Sequence, residues 1–399
     1  MRLVLGVSGG IAAYKACELA SRLVRDSHEV QVLMTAGAAR FVAPLTFSAL
    51  THRPVGMATT DEPMGPLSHV ALARWAQGVV IAPATANLLA RLASGAADDL
   101  LTLVVLGFRG PVLLAPAMEA EMWSHPRTQA NVQRLSGDGV RWVGPEFGRL
   151  ASGSAGLGRM AEPEQIMRAW DWATTPQDLL GVRVLITAGP TWEHFDPVRI
   201  LTNPATGSMG VLLAEEASRR GAEVVLVHGP RVTLPSGPSI RTRSAISARD
   251  MLTAVLEESG AADAVIGAAA VSDFRPAERL VAKAHKEDVA HEWAMAPNPD
   301  VLAEVGRRFA GRKVLVGFAA ETDDAVASAQ KKLMAKHLDL VVANEVGDSR
   351  GFGSDEHRAW MVTPAGTVSL AGGHKAATAK AVLDFVKEQV QIVRGGSRP

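Results

Sequence analysis

The chain opens twice. From its first residues an apolar run, Leu3 to Val7, meets a turn of small residues (Ser8, Gly9, Gly10) and then a helical pattern from Ala12 to Arg25. From Val182 the same order returns: a strand pattern (Val182 to Ile186), a tight turn (Thr187, Ala188, Gly189, Pro190, Thr191), a loop, and a polar turn (Asn203, Pro204, Ala205, Thr206, Gly207) before another amphipathic helix. A strand, a turn without bulky side chains and a helix start form the opening of a nucleotide-binding half, because free amides at a helix N-terminus face whatever the turn admits. Two such openings in 399 residues call for two α/β domains, each long enough to bury its own core.

Each opening is followed by strand and helix in alternation. In the first half, strand patterns at Val30 to Met34, Val79 to Ile81, Val112 to Ala115 and Val140 to Val143 alternate with helix patterns at Thr85 to Ala93 and Arg127 to Leu135. In the second, strands near Val184 to Ala188, Glu223 to His228, Ala264 to Ala268, Lys313 to Phe318 and Leu338 to Ala343 alternate with four helices, Met209 to Arg220, Ala248 to Ser259, Pro299 to Arg308 and Asp324 to Lys336. Trp360 to Val362 and Val368 to Leu370, split by Pro364 and Gly366, read as a hairpin before a C-terminal helix. The expected fold is two doubly wound, parallel-sheet, Rossmann-like α/β domains. The polar segment Asp171 to Gly181 divides them: a first domain over 1–175, a linker over 176–181 and a second domain over 182–399.

Charge and cysteine content exclude several classes. Lys plus Arg and Asp plus Glu both number 41, which leaves no footprint for nucleic acid or an anionic membrane. The one cysteine, Cys17, falls on the apolar side of a helical pattern, so neither a disulfide framework nor a cysteine zinc site is expected. The first apolar run is too short for a signal peptide and no later run reaches membrane-spanning length, so a cytoplasmic protein is expected.

Ligands of parallel sheets bind at the carboxyl ends of strands, and in the first half those ends carry Ser8, Gly9 and Gly10, then Thr35, then Ala84, Thr85, Ala86 and Asn87. Hydroxyls beside helix starts suit a phosphate, although the turn lacks the dinucleotide glycine pattern and plain connections read the same way. His69 follows a loop with Pro63, Gly65 and Pro66 and reads by itself as a surface or capping histidine. The strings Ser68 to Ala76, Ile81 to Asn87 (IAPATAN), Gly95 to Leu100, Pro116 to Met118 with Met122 and Trp123, and Gly153 to Met160 together resemble the flavin-dependent cysteine decarboxylases across essentially the whole first half. The resemblance implies a flavodoxin-like flavoprotein domain that holds FMN on the Ser8–Gly10, Thr35 and Ala84–Asn87 turns. It makes His69 the catalytic histidine of thiol oxidation, with Met118, position 119 and Arg159 on the substrate.

Two positions depart from that pattern. Where the family has an asparagine that meets the substrate carboxylate, this chain has Glu119, and where it has a cysteine that delivers the last proton, this chain has Ser152. A glutamate repels a carboxylate unless it is protonated or turned away, and a hydroxyl is a far weaker acid than a thiol. Three outcomes stay open for this half: a working decarboxylase with rearranged groups, an enzyme that stops at the enethiol or is inactive, and a flavin-binding regulatory scaffold.

In the second half, Thr187 to Gly210, Ala268 to Arg275, Asn298 to Asp300 and Gly317 to Thr322 resemble phosphopantothenate–cysteine ligases. Fusion behind a decarboxylase domain resembles the bifunctional bacterial proteins of coenzyme A biosynthesis. The resemblance implies a CTP-driven ligation of cysteine to 4′-phosphopantothenate through an acyl-cytidylate, with Mg²⁺ and cations where phosphate charge develops. Lys283 opens an altered KIKK-like element (Lys283, Ala284, His285, Lys286), and Lys332 and Lys336 lie one helical turn apart. A solvated helix face is the plain alternative for that pair. Asp273 is implied on the ribose, with Gly267, Ala268, Ala269, Asn298, Pro299, Asp300 and Val301 around the nucleotide. Phe318 is either base-stacking or core, and Asn203 either meets the acyl intermediate or caps a helix. The resemblance further implies a homo-oligomer: trimers through the flavin half and dimers through Arg199 to Gly210, closing into a dodecamer.

Overall fold

The computed structural model describes residues 1–59, 68–237, 239–283, 293–321, 324–345 and 356–396. Contacts divide the chain into two compact units, Met1–Thr175 and Pro176–Pro399.

The first unit runs β1 (Arg2–Val7), α1 (Ala13–Arg25), β2 (Glu29–Met34), α2 (Pro44–Thr51), α3 (Ser68–Trp75), β3 (Gly78–Ala84), α4 (Ala86–Ser94), α5 (Leu100–Gly107), β4 (Val112–Pro116), α6 (Ala120–Ser124), α7 (Pro126–Gly137), β5 (Arg141–Trp142), β6 (Glu146–Arg149), β7 (Ala155–Arg159) and α8 (Pro163–Thr174). Its five-stranded parallel sheet has the order β2-β1-β3-β4-β5. This is the flavodoxin order, and β1 and β3 flank its switch point. The central strands are apolar without alternation because helices cover both faces. Leu3, Leu5 and Val7 pack with Leu19, Leu23, Phe47 and Trp170, while Val4 and Ile81 pack with Leu88, Leu89, Leu101 and Val104 on the other side. The pattern at Val140 to Val143 shortens to Arg141–Trp142, which pair with Leu113 and Leu114 at the sheet edge. Helix α5, an almost wholly apolar run, is started by Asp99, which accepts from the Thr102 amide at 2.9 Å in a capping box.

The second unit runs β8 (Arg183–Pro190), β9 (Glu193–His194), β10 (Ile200–Leu201), α9 (Ser208–Arg219), β11 (Glu223–His228), β12 (Ile240–Ser244), α10 (Ala248–Ser259), β13 (Ala264–Ala270), β14 (Phe274–Pro276), β15 (Met295–Pro297), α11 (Val301–Phe309), β16 (Val314–Glu321), α12 (Ala325–Ala335), β17 (Leu340–Glu345), β18 (Glu356–Thr363), β19 (Gly366–His374) and α13 (Lys375–Arg394). The eight-stranded order β12-β11-β8-β13-β16-β17-β18-β19 is a doubly wound sheet ended by the antiparallel pair β18–β19, as the hairpin pattern predicts. Its switch point lies between β8 and β13. Helices α9 and α13 cover one face through Leu213, Ala217, Val382 and Leu383. Helices α10, α11 and α12 cover the other through Met251, Val255, Val305 and Leu333.

The entry to this unit is tied by charge. Arg220, with only 5% of its side chain exposed, is held by Asp178 at 2.8 Å and Asp384 at 2.7 Å, and Lys387 reaches Asp178 at 3.1 Å. At the end of α13, Arg394 binds Asp263 and the Gly181 carbonyl, both at 2.8 Å. The Arg220 hydrogen bonds hold the Asp178 carboxyl below its ordinary range, more than offsetting its partial burial, and Lys387 adds to them. The folded chain then binds fewer protons than the unfolded one below about pH 4. Asp178→Asn should therefore cost ~1.5–3 kcal/mol at neutral pH, the worth of hydrogen bonds to a charged partner. It should also flatten the loss of stability that the parent shows as pH falls through the carboxylate range. Urea unfolding of both chains between neutral and acid pH checks this; identical acid slopes would contradict it.

Candidate functional site

At the first switch point the carboxyl ends of β1 and β3 are stitched by one side chain. The buried Ser8 hydroxyl donates to the Pro83 carbonyl at 2.7 Å, accepts from the Thr85 amide at 3.0 Å and lies 3.0 Å from Thr85 Oγ1. Beside it the end of β2 comes so close that a Cβ on Gly9 would sit 2.7 Å from the Gly37 carbonyl carbon, backbone against backbone. The turns enclose a cavity of about 1360 Å³. Single-ligand clefts measure roughly 300–1,000 Å³, so a cofactor and a second molecule fit together. Neither α1 nor α4 has a side-chain cap, and Ala12, Ala86 and Asn87 at their starts line the cavity, which puts two positive helix ends against it.

Of the flavin-contact candidates, Ser8, Gly9, Gly10, Thr35, Thr85, Ala86 and Asn87 line this cavity; Ala84 is wholly buried in β3 and does not. Met118, Glu119 and Arg159 form the opposite wall. Ser152 lies just outside the lining, at the tip of the β6–β7 hairpin, and its hydroxyl donates to Glu119 Oε2 at 2.9 Å and meets Ser154 Oγ at 2.8 Å. The two departures from the decarboxylase pattern thus touch each other. Glu162 binds Lys15 at 2.8 Å and also Arg159, and the Lys15 hydrogen bond in particular holds its carboxyl below the usual range. Sequence reasoning missed Gly37, Lys15 and Arg149 on the wall; Gly37 follows Thr35 at a strand end and obeys the same small-residue rule as Gly9. His69 is half-buried as the second residue of α3 and does not line its own chain's cavity, and the loop before it lies outside the described residues. Burial pushes the Cys17 thiol up, and it stands on α1 away from the lining.

At the second switch point the strand ends are again joined by side chains. Thr187 Oγ1 accepts from the Ala269 amide and Thr191 Oγ1 from the Ser272 amide, both at 3.1 Å, and Asn203 Nδ2 donates to the Ala270 carbonyl at 3.0 Å. Asn203 is therefore not a helix cap: Gly207, with φ +79°, holds that position of α9. Asn298 closes the other side, its amide donating to the Asp273 carbonyl and its side chain to the Ser272 carbonyl, both at 2.8 Å. Asp300 caps α11 through the Ala303 amide and binds Lys336 at 2.6 Å. Burial works to raise its carboxyl, but Lys336 and that amide outweigh burial and leave it below the usual range. Lys332 donates to the Phe318 carbonyl at 2.5 Å, and burial, with Lys336 beside it, pushes its ammonium down. The two lysines are thus partly enclosed rather than a solvated face. Ser272 Oγ, just past the end of β13, and Asn344 Oδ1, near the end of β17, are buried without a hydrogen-bond partner among the described residues.

Three expectations change. Gly267 does not open the backbone to a ligand; a Cβ there would meet the Leu302 side chain at 2.6 Å, so the glycine admits α11. Val301 is buried in the core under α11, and the Phe318 ring packs half-buried against the sheet's other face. Ala268, Ala269 and Pro299 border the Asn298 and Asp273 corner by chain position. Lys283 is exposed, and the rest of its element, 284–286, lies outside the described residues. Among the described residues no group of three or more His, Cys, Asp or Glu is placed to hold a metal ion.

Two doubly wound units, each with a polar, small-residue switch point, define a two-domain nucleotide-binding enzyme of the flavoprotein class. Residues 1–172 match the family model described as flavoprotein, and residues 179–390 match that of the DNA/pantothenate metabolism flavoprotein C-terminal domain. The chain is 44% identical to the coenzyme A biosynthesis bifunctional protein CoaBC of Bacillus subtilis (strain 168), covering 94% of this chain and 91% of that one. It is 41% identical to the protein of the same name from Vibrio vulnificus (strain YJ016), over 99% and 98% respectively. A solved structure of the FMN-dependent cysteine decarboxylase SpaF is 35% identical with a TM-score of 0.37, covering 43% of this chain and 97% of that one. The chain belongs to the family of coenzyme A biosynthesis bifunctional proteins.

Gly9→Ala should drive the first turn from Gly37 and strip the flavin. The absorbance of retained flavin per chain, with far-ultraviolet circular dichroism to show an intact fold, checks this; full retention would contradict it.

Proposed function

We propose that the chain joins cysteine to 4′-phosphopantothenate with CTP and then, on FMN, decarboxylates the product to 4′-phosphopantetheine. Membership of the family makes it an enzyme of coenzyme A biosynthesis with decarboxylase and ligase activities. The observation that carries the finer reading is that one chain holds two switch-point clefts of different chemistry, one ringed by glycines and hydroxyls, the other edged by two partly buried lysines.

FMN fits the first cleft. The close Gly9–Gly37 approach leaves the room that side chains would fill, and the turns Ser8–Gly10, Thr35–Gly37 and Thr85–Asn87 would hold it. When bound, FMN supplies the two-electron oxidation of the substrate thiol that turns the neighbouring carbon framework into an electron sink. Around it the chain's residues do the rest. Met118 and Glu119 border the substrate's place, while Lys15 and Arg159 are held ready by Glu162. His69, which assists removal of the thiol's protons, is not among the described residues that line its own chain's cavity, and this supports a site shared between copies in a trimer.

In the second unit Lys332 and Lys336, with Lys283, serve the phosphate charge that builds as CTP activates the carboxylate, and Mg²⁺ accompanies the nucleotide. Asn203, fixed on Ala270, faces the acyl-cytidylate, and Asp273 and Asn298 the nucleoside. The buried, unpartnered Ser272 hydroxyl supports a ligand at this corner. Dimers through Arg199–Gly210 would combine with the trimers into a dodecamer. A cytoplasmic setting goes with this chemistry; among the described residues no helix is long and apolar enough to cross a membrane.

Mass spectrometry of products from phosphopantothenate, cysteine, CTP and Mg²⁺ should find phosphopantetheine, and absence of any coupled product would refute the ligase reading. Lys332→Ala should lower pyrophosphate release about 10²- to 10³-fold, as loss of a transition-state charge partner does, with flavin content unchanged. His69→Asn should leave ligation intact and let phosphopantothenoylcysteine accumulate.

A further inference from the structure

We propose that Glu119, as a carboxylic acid, delivers the proton that takes the place of CO₂, and that Ser152 positions it. The inference rests on the decarboxylase reading above. Once the thiol has been oxidised to a thioaldehyde, the breaking C–C bond leaves its electron pair in the C=C–S framework as an enethiolate. To regain a saturated thiol, the carbon that lost CO₂ must gain a proton, which restores the C=S bond. The two electrons lent during oxidation then return with hydrogen, as hydride, to the carbon bearing sulfur. The sequence is redox-neutral, and its one unmet need is an acid at the first carbon.

The cavity narrows the choice. Asp98 and Asp99 are both spent on Arg91, and Glu162 on Lys15 and Arg159. Among the described residues no histidine or cysteine of the same chain lines it, and His69, which the trimer reading brings from a neighbouring copy, already serves the thiol's oxidation. Tyr14, at the start of α1, is 61% exposed and a far weaker acid. Glu119 is the lining carboxyl that makes no ion pair among the described residues, and although it precedes α6 its side chain does not cap that helix. Its partner is the Ser152 hydroxyl, which donates to Oε2 and so leaves Oε1 as the oxygen to carry a proton. Arg149 of β6 is the lining cation that makes no ion pair among the described residues, and it too faces the cavity.

A substrate carboxylate brought to Glu119 draws the proton in from solution. Two carboxylates in contact do not both ionise, so binding takes up one proton, which the pair shares. When CO₂ departs, one of the two sharing groups is gone and the proton stays on Glu119, next to the carbon that needs it. Glu119 is left as a carboxylate and reloads with the next substrate. One residue then both tolerates the substrate's charge and returns the proton.

The test uses the FMN-loaded full chain and S-methyl phosphopantothenoylcysteine, whose capped sulfur cannot be oxidised. Calorimetry in buffers of different ionisation enthalpy should show about one proton taken up per ligand by the parent. Glu119→Gln should bind with none, and the decarboxylated S-methyl analogue, with the same phosphate, should give none with either chain. In turnover Glu119→Gln should release CO₂ and accumulate the enethiol two hydrogens short of product. Ser152→Ala should keep proton uptake but shift the enethiol-to-product ratio about tenfold, the worth of one charged hydrogen bond, and Ser152→Thr should restore it. Binding without proton uptake by the parent, equal uptake by Glu119→Gln, or saturated product from Glu119→Gln at the parental rate overturns the inference while leaving the decarboxylase reading intact. Failure of both chains to bind either analogue overturns the decarboxylase reading and the inference with it.

Discussion

Where the order of strands in a parallel sheet reverses, the segments leaving two neighbouring strands turn to opposite faces, and the backbone beyond the strand ends has no crossing chain to bond with. Buried amides and carbonyls left there would cost more than the fold can spare unless side chains meet them. Both units solve this with short polar residues: Ser8 bridges Pro83 and Thr85 in one, and Thr187, Thr191 and Asn203 take Ala269, Ser272 and Ala270 in the other. The crevices that remain are the candidate sites. What looks like binding machinery is thus, in its first layer, the means by which each sheet closes.

That double duty explains what could be read from sequence. The strand order itself was not legible, but strand–turn–helix alternation and the small residues at strand ends were, because one physical need writes both. Local patterns failed where tertiary contacts decide. Ile240–Ser244 is too polar to read as a strand, yet it pairs along β11 as an edge. Leu100–Gly107 carries no polar face and becomes a helix through the Asp99 cap. Asn203 sits in a turn before a helix, as a cap would, but three residues separate it from the cap position that Gly207 takes. The glycine at 267 is where the strand end promised access to a ligand, and Leu302 from another element occupies the space. The spacing of Lys332 and Lys336 placed them on one helix face; that one lands on a strand carbonyl and the other on the cap of α11 depends on elements far away in sequence.

A chain with no net charge still concentrates charge at both crevices. Several cations there are parked on carboxylates, Lys15 and Arg159 on Glu162 and Lys336 on Asp300, while Lys332 rests on the Phe318 carbonyl, so part of the long-range field that bare cations would cast is cancelled at its source. An arriving phosphate competes with those carboxylates at short range only. At those paired positions, fit inside the crevice counts for more than attraction from solution.

Arg394, near the end of the last helix, grips Asp263 and the Gly181 carbonyl at the very start of the second unit. The chain accordingly enters and leaves this unit at one corner. A domain built that way can accept a neighbour on either end, or be recut so that its first strand becomes its last, without moving the crevice on its far-side strand ends. Covalent fusion to the first unit is in that sense a choice of gene order, and the fold of the second unit leaves the choice open.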